Sequence, residues 1–131
     1  MSGNPKGIEL LAQYSEGLYS DFEYETDASD QTLKIDCGVL FLMAFWSGPS
    51  VIGFKNICSS LTELDTPRSF RFCVLDIDGA TDLMDELSRH EIVIGGGAEA
   101  YWFKHGKIIT ATAVHTGTSE RIKEIVEGIK S

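Results

Sequence analysis

The chain has 131 residues, 43% of them hydrophobic and 24% charged, which suits one buried core and is short for two domains. Eleven Lys and Arg against 20 Asp and Glu leave a net charge of −9, a field that repels nucleic acid and anionic membranes and attracts a basic partner, or simply aids solubility. The longest apolar run, Val39–Trp46, is too short to span a bilayer, and the start of the chain lacks a basic segment followed by an apolar one, so no membrane partner and a cytoplasmic location are expected.

In chain order, Pro5 to Leu18 places Ile8, Leu10, Leu11, Tyr14 and Leu18 at near-helical spacing, with Asn4-Pro5 as a start signal. From Glu16 to Asp30 come Glu16, Asp21, Glu23, Glu25, Asp27 and Asp30 with no basic residue, which predicts a solvated connection; Tyr19, Phe22 and Tyr24 leave a short edge strand or docking surface as the alternative. Thr32–Asp36 reads as a short strand and Val39–Phe45 as a central strand covered on both faces. After the Gly48-Pro49 turn, Val51, Ile52, Phe54, Ile57, Cys58, Leu61 and Leu64 recur as a helix requires, and Thr66-Pro67 ends it. Phe70–Ile77 is a second buried strand, and Gly79–Leu87 a short acidic helix. Ala98–Phe103, a turn at His105-Gly106 and Lys107–Val114 form a hairpin. A last helix opens at Thr118-Ser119-Glu120 and carries Ile122, Ile125, Val126 and Ile129 on one stripe.

The three cysteines, Cys37, Cys58 and Cys73, show neither a CxxC pair nor metal-ligand spacing, which disfavours a disulfide-stapled or zinc-bound fold. Isolated cysteines in apolar surroundings, as in Phe72-Cys73-Val74, read as small buried hydrophobes of a reducing compartment. His90, His105 and His115 have no i, i+4 pairing, so no metal site and no cofactor are expected. Gly95-Gly96-Gly97 precedes no predicted helix and therefore lacks the context of a phosphate cradle.

Phe45-Trp46-Ser47-Gly48-Pro49-Ser50 stands between the buried strand and the following helix, where it resembles the Trp-Cys-Gly-Pro-Cys site of thioredoxins. Val74-Leu75-Asp76-Ile77-Asp78 is similar to that family's third strand, and Phe103-Lys104-His105-Gly106-Lys107 to its Phe-Lys-Asn-Gly hairpin. Three matches in order, each on the expected element, are more specific than one motif. The resemblance runs from Thr32 to the carboxyl terminus. It implies an α/β, three-layer thioredoxin-like fold whose central mixed sheet of four to five strands is flanked by helices. Residues 1–131 then form one domain, with 1–31 as an amino-terminal helix and acidic connection.

In that family the first cysteine lies at a helix amino terminus, where the dipole and unpaired N–H groups stabilise a thiolate. Here the position is Ser47, and the second is Ser50. A serine hydroxyl does not ionise near neutral pH, and two hydroxyls form no disulfide, so dithiol exchange is not expected and both serines are read as helix caps. Counting back without a gap puts Phe41 where thioredoxins often have a buried carboxylate, and the position of their cis-proline falls near Ala98. Replacing two cysteines would not also remove those two features.

No catalytic residue is assigned on this reading. What remains is an apolar face of Trp46, Ser47, Gly48, Pro49, Ser50 and Ala98 on which a partner protein would bind, as expected of a redox-inactive adaptor, regulator or subunit. The alternative is an acidic inhibitor or immunity-type protein that neutralises a basic enzyme. A third reading, an enzyme using Cys58 or Ser47 with an unrecognised base, competes with the helical stripe that already accounts for Cys58 as core. Trp46 and Trp102 are each open between core and surface from the sequence, the resemblance putting Trp46 at the rim of the face.

Overall fold

The apolar run that begins at Val39 is buried on both sides, as its lack of alternation requires. The computed structural model describes residues 6–18, 21–26, 34–64, 70–77, 99–114 and 119–130. Its strands are β1 (Glu23–Glu25), β2 (Cys37–Met43), β3 (Phe70–Asp76), β4 (Glu99–Lys104) and β5 (Lys107–Ala113); its helices are α1 (Gly7–Tyr14), α2 (Gly48–Glu63) and α3 (Ser119–Lys130). The strands form one mixed sheet in the order β1-β3-β2-β4-β5, parallel across β1, β3 and β2 and antiparallel across β2, β4 and β5. This is the α/β architecture expected of a thioredoxin-like chain.

Period-two alternation splits the core between the two faces of the sheet. Val39, Phe41, Met43, Phe72, Val74, Ala100 and Trp102 pack with Phe54, Ile57, Cys58 and Leu61 of α2, the Ile122, Ile125, Val126 and Ile129 stripe of α3, and Leu11 of α1. Leu40, Leu42, Cys73, Leu75, Tyr101 and Phe103 bury the opposite face with Ile35, Ala44 and Ile77. Gly38 in β2 has φ +149°, and a Cβ there would overlap the backbone oxygen of Arg71, so close approach of β2 to β3 requires glycine. The β4–β5 hairpin turns through His105 (φ 54°) and Gly106 (φ 76°), the two positive-φ positions of a tight hairpin turn.

Three expectations change. The acidic stretch is not wholly a solvated connection; the edge-strand alternative holds at Glu23–Glu25, which pairs with Cys73–Leu75 as β1. Two carboxylates in a three-residue strand are tolerated because Arg71 of β3 donates to both oxygens of Glu23, at 2.7 and 2.9 Å. Conversely, residues 34–36 are not strand; Asp36 instead uses its carbonyl to receive the Gly106 N–H at 2.9 Å. Helix α1 stops at Tyr14 rather than Leu18, because the Ser15 hydroxyl donates back to the Ala12 carbonyl and Gly17 turns the chain at φ +77°. The predicted helix at Gly79–Leu87 and strand residues Thr32–Leu33 lie outside the described residues. None of the described helices is long and apolar enough to cross a membrane.

Candidate functional site

Between the end of β2 and the start of α2 the chain has four residues, Ala44 to Ser47, in which to reverse. A β-turn does this, closed by the Ser47 N–H donating to the Ala44 carbonyl at 3.0 Å, with Phe45 and Trp46 as its corners. Ser47 then has extended backbone (φ −103°, ψ 119°) and acts as the α2 N-cap, its hydroxyl accepting from the Ser50 N–H at 3.5 Å. Pro49 sits in the first turn, where its missing N–H costs nothing. The expectation that Ser47 caps the helix therefore holds.

Ser50 behaves differently. Its hydroxyl, 0% exposed, accepts from the Ala44 N–H at 3.3 Å and so ties the first turn of the helix back to the end of β2. That bond crosses from helix to strand rather than capping the helix, a correction to the reading of both serines as caps. Ser47 is also buried, at 7% exposure, so neither hydroxyl presents contact area to a partner. Gly48 and Pro49 are exposed, and Trp46 at 71% is the most exposed large hydrophobic side chain among the described residues. Trp102, by contrast, is fully buried and donates its indole N–H to Thr112 Oγ1 at 3.0 Å. Ala98 lies outside the described residues.

No disulfide joins the three cysteines. Burial pushes the Cys58 and Cys73 thiols up from 9.0 to about 12, which keeps both protonated at neutral pH and makes them poor nucleophiles. Cys58 is core, as its helical stripe predicts. Among the described residues no group of three or more His, Cys, Asp or Glu could hold a metal ion.

Phe41 is fully buried in the α2-side core, and no carboxylate occupies its position. Yet that face of the sheet does bury one nearby. Met43 pairs in register with Asp76, which is fully buried at the end of β3 and accepts a hydrogen bond from the Tyr24 hydroxyl. Tyr24 in turn meets Phe45 edge to face, with ring centroids 6.5 Å apart at 70°. Sequence reasoning has Tyr24 in the edge-strand alternative and Asp76 in the third-strand match, and misses the bond between them. The signal was available for Asp76: in Phe72-Cys73-Val74-Leu75-Asp76, period two puts the carboxylate on the face of Phe72 and Val74.

The fold is that of thioredoxins. A mutant thioredoxin from Halobacterium salinarum matches with TM-score 0.60 at 15% identity, over 86% of this chain and 95% of that one. Malassezia sympodialis thioredoxin matches with TM-score 0.63 at 14% identity, over 87% and 96%. Schistosoma mansoni thioredoxin gives 0.55 at 15%, over 88% and 96%. No protein-family model matches the chain, nor does any curated protein.

Proposed function

We propose that this domain is a redox-inactive thioredoxin-like protein-binding module, an adaptor, regulator or subunit, whose contact surface is the turn at the amino terminus of α2. The observation that supports this reading most is the division of labour in that turn: Ser47 and Ser50 are buried and hold backbone, while Trp46 is thrust out at 71% exposure. Hydroxyls at those two positions provide no thiolate and no disulfide. The thiols of Cys58 and Cys73 are held protonated by burial. An exposed indole beside Gly48 and Pro49 offers a large, rigid contact area at small entropy cost, which is how interface anchors are built.

The acidic-inhibitor alternative rests on the net charge of −9, and one of the carboxylates behind it, Glu23, is already engaged by Arg71 as a structural pair. Salt dependence of binding separates the two readings: a Trp46-centred contact keeps its affinity in high salt, and a charge-steered one loses it.

Two measurements test the proposal. The chain should not accelerate dithiothreitol-driven reduction of insulin, and turnover at catalytic concentration would overturn redox inactivity. A partner recovered from the native source should bind Trp46→Ala about 30-fold more weakly, the 2 kcal/mol scale of a hot spot, with the fold unchanged. Normal binding by that variant would end the claim for this surface.

A further inference from the structure

We propose that Tyr24 is a positioning residue for the turn that displays Trp46, so that the α1–β1 segment sets how the contact surface is presented. The inference rests on the reading of Trp46 as the contact residue. Its geometry does not. Phe45 and Trp46 are the two corners of one β-turn, and their side chains part company: Phe45 is half-buried against the α2-side core and Trp46 stands in solvent. Whatever holds the Phe45 ring therefore holds the rotation of the turn and the direction of the indole.

The Tyr24 ring meets Phe45 edge to face. Tyr24 is itself held from two further elements. Its hydroxyl donates to buried Asp76 at the end of β3, and Gly7, the first residue of α1, lies so close that any Cβ there would strike that hydroxyl. One side chain thus joins α1, β1, β3 and the turn. Its neighbours in sequence serve other ends: Phe22 packs its ring against Phe54 and Phe72 in the core, and Glu23 pairs with Arg71 on β3. The three roles are separable by mutation, which makes Glu23 a control for losing a side-chain pair of β1 that does not reach the turn.

The test is proton–nitrogen NMR of the chain alone, the Trp46 indole resonance being assigned with Trp46→Phe. Tyr24→Leu should move that resonance and speed exchange of the Ala44 and Ser47 amides by roughly two- to tenfold, the scale of losing one aromatic pair. Glu23→Gln should leave both unchanged. Tyr24→Phe, which keeps the ring and removes the hydroxyl that reaches Asp76 and Gly7, should shift the indole in the same direction by less. An unmoved Trp46 in folded Tyr24→Phe or Tyr24→Leu overturns the proposal, as does an equal response to Glu23→Gln. No partner is needed, so a failure of Trp46→Ala to weaken binding would remove the proposed function and leave this result standing.

Discussion

Replacing Ser50 by alanine removes one oxygen and leaves the Ala44 N–H, fully buried at the end of β2, without its acceptor. The bond is long, at 3.3 Å, so its own strength is modest; the larger loss is the desolvation of an N–H that then has nothing to donate to, about 1–3 kcal/mol. Alanine recovers about 0.5 kcal/mol through its better helix propensity. The net loss should be about 1.5 kcal/mol, which for a chain of this length lowers Tm by roughly 5 °C. Ser47→Ala should cost less, about 0.5–1 kcal/mol, because its cap bond to the Ser50 N–H is longer still at 3.5 Å. Urea titration followed by circular dichroism measures both, and amide exchange at Ala44 locates the effect. If Ser50→Ala changes stability by less than about 0.5 kcal/mol, or leaves exchange at Ala44 unaltered, then Ser50 does not hold strand to helix and its burial needs another reason.

Gly38→Ala combines a disfavoured φ of +149° with overlap on the Arg71 backbone at the second residue pair of the parallel β2–β3 ladder, and should cost about 2–4 kcal/mol in the same titration; a loss under 1 kcal/mol would refute it. Alkali should destabilise the fold through Cys58 and Cys73. Their folded pKa is raised, so their contribution is intact below pH 9, where both states are protonated. Above it the unfolded chain releases protons that the folded chain retains, and stability falls by up to about 1.4 kcal/mol per thiol per pH unit between pH 9 and 12. Titrations at pH 8 and 10 should show a shallower fall in Cys58→Ala and Cys73→Ala; an unchanged slope would refute the assignment.

What the sequence by itself determined is local or strongly patterned. An apolar run without alternation predicts β2 buried on both faces, Ser47-Gly48-Pro49 carries its own cap and first turn, and His105-Gly106 supplies the positive φ angles its hairpin needs. Each depends on residues adjacent in the chain, so neighbours suffice to predict it. The tertiary structure decided β1, which the sequence left open as the edge-strand alternative, because Glu-Tyr-Glu is a poor strand until Arg71, 48 residues away, neutralises Glu23 and Asp76 receives the Tyr24 hydroxyl. It decided the two tryptophans in the same way: Trp102 faces the α2–α3 side of the sheet and is covered, while Trp46 takes the outward corner of a turn whose other corner is held by Tyr24. Burial of a side chain depends on what the rest of the chain brings over it; nothing within a few residues of Trp102 specifies that, and for Trp46 only the resemblance of its motif points to the rim.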